Sequence, residues 1–140
     1  MRLSGVFVLN NLMLITLIGA GCKKPVEKWD YIYVNNSSGM HIYCDLQFTY
    51  PDTALHSFDD KSIFDDELKA YSKDYFPMPG SWKDEIMNRN AASTATFFFI
   101  SKDTLDKYGW ETIKQNYNVL ERKDMTITNL NNNGWTVNYP

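Results

Sequence analysis

Hydrophobic and polar positions alternate most regularly from residue 41 to residue 50 (HIYCDLQFTY). Ile42, Cys44, Leu46, Phe48 and Tyr50 fall on one side of an extended chain, and His41, Tyr43, Asp45, Gln47 and Thr49 on the other. A period of two predicts a half-buried strand, with the even positions turned to the core. Residues 29–34 (WDYIYV) are aromatic and β-branched and predict a second strand. The cluster Asn35-Asn36-Ser37-Ser38-Gly39 lies between the two, so they read as an antiparallel hairpin. Residues 94–101 (TATFFFIS) are the strongest strand signal, and the unbroken run Phe97-Phe98-Phe99-Ile100 predicts cover on both faces. Strands are also expected over 119–123 and 134–140, the last with Trp135, Val137 and Tyr139 facing inward.

Helical signals are short. Ser81 is placed to cap a helix over 82–88, with Asp84 near its first-turn amides. A second helix is expected over 101–108, stopped by Gly109, and a third over 110–117 with Trp110, Ile113 and Tyr117 along one side. Residues 126–130 predict a single helical turn. Residues 54–80 are the least legible stretch, with a short helix expected over about 64–71. The run Tyr75-Phe76-Pro77-Met78-Pro79-Gly80 cannot be helical, because its prolines remove donors and fix φ. There is no rhythm of long helices between strands, which argues against a doubly wound sheet. The expected fold is therefore α+β. It is mainly an antiparallel β-sheet or small sandwich of about five strands, with three or four short helices.

The N-terminal pattern is different. Leu3 to Ile18 is mostly apolar, interrupted by Asn10 and Asn11, and follows Arg2. A spanning helix needs roughly 20 apolar residues, so this shorter run reads as a cleaved signal peptide. It ends in Gly19-Ala20-Gly21 before Cys22, which reads as the acylated cysteine of a bacterial lipoprotein. The organisation is a signal peptide at 1–21, a tether at 22–28 and one globular domain at 29–140. Two acyl chains on Cys22 would hold the protein stably in a membrane, where one chain is marginal. The expected location is the cell envelope. Gly19 stands where the lipoprotein pattern usually has Leu, so ordinary cleavage near Ala20 or Gly21 and plain secretion is the alternative.

The C-terminal third resembles small, uncharacterised lipoproteins of Bacteroidetes-type bacteria. The residues that carry the resemblance are Phe98-Phe99-Ile100, Asp103-Thr104-Leu105, Tyr108-Gly109-Trp110, the run 117–124 (YNVLERKD) and the ending 135–140 (WTVNYP). Residues 31–38 and the corner Tyr50-Pro51-Asp52-Thr53 fit the same pattern. The resemblance implies an envelope lipoprotein and carries no activity or site residues. It also implies candidate O-glycosylation at Asp52-Thr53-Ala54 and Asp103-Thr104-Leu105, where a turn or helix cap is the simpler reading. Surface display in that group follows an acidic stretch after the cysteine. Here residues 23–28 (KKPVEK) hold one acid among three lysines, so a periplasmic face is at least as well supported.

Composition narrows the chemistry. Once Arg2 is removed, thirteen basic side chains face seventeen acidic ones, a net of −4 with no basic stripe. Nucleic acid is therefore not an expected partner. Lipidation of Cys22 would leave Cys44 alone, without a disulfide, as a small buried hydrophobe. A Cys44–His41 nucleophile pair is disfavoured, because a spacing of three puts the two on opposite faces of a strand. Asp59, Asp60, Asp65, Asp66 and Glu67 form an acidic cluster without the ligand order of an EF-hand loop, and no metal or cofactor is expected. Tyr71, Tyr75, Phe76 and Trp82 flank the proline loop and are the candidate ligand contacts, as an aromatic platform for a glycan. The face with Tyr43 and Gln47 is a second candidate. The leading expectation is a non-enzymatic interaction module that docks on an envelope protein. A glycan-binding accessory lipoprotein is the alternative, and a small envelope enzyme ranks third.

Cys22→Ala should abolish incorporation of labelled fatty acid and leave unprocessed precursor or soluble protein. Retained label in that variant would contradict the anchor.

Overall fold

The computed structural model describes residues 28–55 and 67–140. Cys22, the signal peptide and the acidic cluster other than Glu67 lie outside the described residues, as does the start of the helix expected over 64–71. The described residues form an α+β fold of six strands and four helices. The strands are β1 (Trp29–Asn36), β2 (Ile42–Gln47), β3 (Ser72–Pro79), β4 (Thr94–Ser101), β5 (Glu121–Thr126) and β6 (Thr136–Tyr139). The helices are α1 (Trp82–Arg89), α2 (Lys102–Tyr108), α3 (Trp110–Asn116) and α4 (Ile127–Asn132).

The strands make two three-stranded sheets. Sheet A runs in the order β3-β1-β6 and sheet B in the order β2-β4-β5. All pairs are antiparallel except β1 with β6. Strand β4 organises the packing, since every residue from Thr94 to Ile100 is buried. Its odd side chains, Ala95, Phe97 and Phe99, meet Ile32, Val34, Phe76, Val137 and Tyr139 of sheet A in the main core. Phe98 and Ile100 point the other way, into a second cluster with Leu55 and Ile113 beneath Leu105 and Trp110 of α2 and α3. The order of layers is therefore sheet A, sheet B, then the α2–α3 pair. Each fully buried phenylalanine contributes roughly 1.5–3 kcal/mol relative to exposure.

The expected hairpin does not form. β1 and β2 belong to different sheets, and residues 37–41 carry the chain across the core from one to the other. Alternation identifies which face of a strand is buried, but not which strand pairs with its edge. The arch is held by Asn36, which is fully buried. Its Nδ2 donates to the carbonyls of Met40 (2.8 Å) and Lys69 (2.9 Å), and its Oδ1 accepts from Ser38 N (3.0 Å) and Ser38 Oγ (2.7 Å). An amide so satisfied stabilises the bend, whereas an apolar residue there would leave buried backbone carbonyls without donors.

Two further expectations are corrected. Residues 67–71 are not helical: Leu68 instead forms an isolated antiparallel bridge with Ile42. The proline run is neither helix nor loop but a strand, β3, additional to the five expected. It is an edge strand paired only with β1, where Pro77 and Pro79 lie opposite Tyr31 and Trp29. Proline is tolerated at an edge because its missing donor can face away from the neighbour. The other helix signals hold. Ser81 Oγ accepts from Asp84 N (3.3 Å) at the start of α1, and Ser101 Oγ accepts from Thr104 N (3.3 Å) at the start of α2. Thr126 and Asn129 form a reciprocal capping box on α4.

Candidate functional site

Strand periodicity gives sheet A two unlike faces. The even positions of β1, Ile32, Val34 and Asn36, are buried, and Trp29, Tyr31 and Tyr33 stand outward. Register extends that outward row across the sheet. Tyr31 pairs with Pro77 and Tyr33 with Tyr75 on β3, while Tyr33 also pairs with Thr136 on β6. Asn35 is flanked by Lys73 and Asn138 at the next outward position. The result is an aromatic face with Trp29 47 % exposed, Tyr75 48 % and Tyr31 and Tyr33 36 % each.

The three tyrosines pack on one another. The rings of Tyr31 and Tyr75 meet edge to face with centroids 5.2 Å apart, and Tyr33 lies 6.2 Å from Tyr75 and 6.3 Å from Tyr31. Such contacts add about 0.5–1.5 kcal/mol per pair to burial alone, so the rings are held in place before anything binds. Lys73 Nζ lies 4.4 Å from the Tyr33 ring centroid. It is the single formal charge among the outward positions of the three strands. Asp30 belongs to the other face, where its Oδ2 accepts from Trp82 N (3.0 Å) at the start of α1.

The four aromatic residues singled out from the sequence do not assemble. Tyr75 belongs to the face. Tyr71 is 78 % exposed, with φ 54°, and sits beyond the last rung of β1 and β3, its N–H bonded to the Ser38 carbonyl. Phe76 and Trp82 turn inward and are fully buried, and the Trp82 indole N–H donates to the Phe76 carbonyl (3.0 Å). Those two rings are core and offer no surface to a ligand. The second candidate face is covered as well: Gln47 is buried and Tyr43 packs on the α2–α3 cluster. Trp29, Tyr31 and Tyr33 were missed. Their signal is an aromatic residue at every second position of 29–34, on the side opposite Ile32 and Val34.

Several ionisable groups elsewhere pair at the surface. His41 Nδ1 lies 3.1 Å from Glu67 Oε1, and Lys102 Nζ lies 3.6 Å from Glu67 Oε2 while also bonding Asp106. Exposed pairs of this kind contribute little. The Asp52-Thr53-Ala54 segment is exposed, and Ala54 N donates to Asp52 Oδ1 (2.9 Å) in a turn. Thr104 is half-buried in the first turn of α2. Among the described residues, no three His, Cys, Asp or Glu side chains gather where they could hold a metal ion. No described helix is long and apolar enough to cross a membrane.

Cys44 is unpaired by disulfide and fully buried in the main core. Burial, and after it the Asp45 carboxylate, pushes its thiol well above the usual 9.0. A thiol kept protonated is a poor nucleophile. As pH rises past that ordinary value, the unfolded chain loses the proton first and so becomes favoured. The stability held below about pH 9 should then fall by about 1.4 kcal/mol per pH unit until the folded-state value is reached. Denaturant titrations at about pH 7.5 and about pH 10 should show an extra alkaline loss in wild type that Cys44→Ala lacks. The variant should itself lose about 1 kcal/mol at neutral pH. An equal alkaline loss in both proteins would contradict the burial of the thiol.

The chain matches no family model, no curated protein and no solved structure.

Proposed function

We propose that this chain is a lipid-anchored protein of the bacterial cell envelope that acts by surface contact and not by catalysis, with the outer face of sheet A as its contact surface. The observation that carries the reading is the open aromatic row of Trp29, Tyr31, Tyr33 and Tyr75 on a sheet whose other side packs on the main core. Large aromatic rings dominate contact energetics, and an exposed apolar patch on a small domain marks an interaction site. The N-terminal pattern ending in Cys22 supplies the location. Among the described residues, the buried, protonated thiol of Cys44 is a poor nucleophile, which supports contact over the enzymatic alternative. A glycan-binding role is the second reading. It is favoured by the hydroxyl group of Thr136, which lies opposite Tyr33 on the same face.

The test is photo-crosslinking in living cells, with benzoylphenylalanine replacing Tyr31 in one strain and exposed Met87 of α1 in a control. A strong adduct is expected from position 31 and not from position 87, and its mass identifies what the face touches. No adduct at position 31 above the control would overturn the proposal.

A further inference from the structure

We propose that the outer face of sheet A lies on the membrane itself, with its rings in the headgroup layer of an anionic bilayer. This rests on the anchor reading above and names what the contact surface meets.

Chain length is the first argument. Trp29 opens β1 seven residues after Cys22. A trans chain spans at most about 3.3–3.6 Å per residue, so Trp29 stays within about 25 Å of the acylated sulfur. Tyr31 and Tyr33 follow on the same side of the same strand, so the aromatic row starts at the end of the tether. Of the surfaces described, this one is tied covalently closest to the bilayer.

Chemistry is the second argument. Trp and Tyr have an apolar body and a polar tip, which suits the boundary between hydrocarbon and water. Trp29, Tyr31, Tyr33 and Tyr75 present such side chains together. Basic residues next to a lipid surface are drawn to anionic headgroups, and carboxylates are repelled. The mature chain is net acidic, yet the outward positions of sheet A hold no carboxylate and one lysine, Lys73. Lys28, exposed just before β1, adds a second positive charge on the anchor side.

Internal bonding is the third argument. A glycan needs open hydrogen-bonding groups among the rings. The Asn35 Nδ2 here donates to Asn138 Oδ1 (3.1 Å), so these amides already engage each other. Docking this way turns the α2–α3 layer away from the membrane.

The acylated protein is reconstituted into vesicles of phosphatidylethanolamine and phosphatidylglycerol, with and without bromine on the acyl chains near the headgroups. Tryptophan emission should fall on the brominated vesicles, and Trp29→Phe should remove most of that fall, because Trp82 is buried, Trp135 packs on the main core on the inner side of sheet A, and Trp110 belongs to the α2–α3 layer. Tyr31→Ser with Tyr75→Ser should remove most of it too, while the protein still floats with the vesicles. Asn138→Asp keeps the acceptor for Asn35 and adds a carboxylate to the face, and it should weaken quenching as well. Quenching unchanged in the tyrosine and Asn138 variants would mean that the tether alone holds Trp29 near the lipid, which overturns the proposal. A floating wild-type protein with unquenched Trp29 also overturns it and leaves the face to a protein or a glycan. Absence of acyl chains on Cys22 by mass spectrometry would instead remove the anchor reading, and this proposal with it.

Discussion

The two-sided burial of β4 is the constraint on which the rest of this structure depends. Phe97 and Phe99 point to one side, Phe98 and Ile100 to the other, and neither set can be left in water. One side requires a second sheet and the other requires a helical layer. The α2–α3 pair, arriving directly after β4 in the chain, satisfies the helical side, and sheet A satisfies the other. Sheet A therefore turns one face to the core, and among the described residues no further layer covers its second. In a domain this small, the uncovered face of the outermost sheet is where four aromatic side chains remain in solvent.

That arrangement also explains why the chain arches where a hairpin was expected. Were β1 and β2 neighbours in one sheet, Ile32 and Val34 would lie beside Ile42 and Cys44, and the core would lack its opposing wall. The Asn36 amide turns the chain so that these residues meet across the core. The Trp82 indole ties α1 to β3, and Asp30 ties β1 to the first amide of α1. The Asn36 and Asp30 bonds sit near the ends of elements, and the Trp82 bond meets the Phe76 carbonyl within the edge strand β3.

Local signals were legible in the sequence, and pairing was not. The FFFI run fixed β4 and its double cover, and Ser81, Ser101 and Thr126 marked three helix starts. Strand β3 was hidden because Pro77 and Pro79 argue against a strand unless it lies at an edge, and edge position is a property of the whole fold. For the same reason the aromatic face was only partly seen. Tyr75 was singled out, but Phe76 and Trp82 were grouped with it by proximity in sequence, whereas strand alternation sends Tyr75 out and Phe76 in. The partners of Tyr75 come from β1, more than forty residues earlier, through a register that no local pattern reveals.

The central claim is that the aromatic face of sheet A is covered in the envelope and open in the isolated protein. Nitration of tyrosines in intact envelopes and in detergent-purified protein, read residue by residue by mass spectrometry, tests it directly. Tyr71 is the internal standard, being the most exposed of these tyrosines and lying off the face. Tyr31 and Tyr75 should react in the purified protein and be protected in the envelope, while Tyr71 reacts in both. Equal reactivity of Tyr31 and Tyr75 in the two preparations would contradict the account.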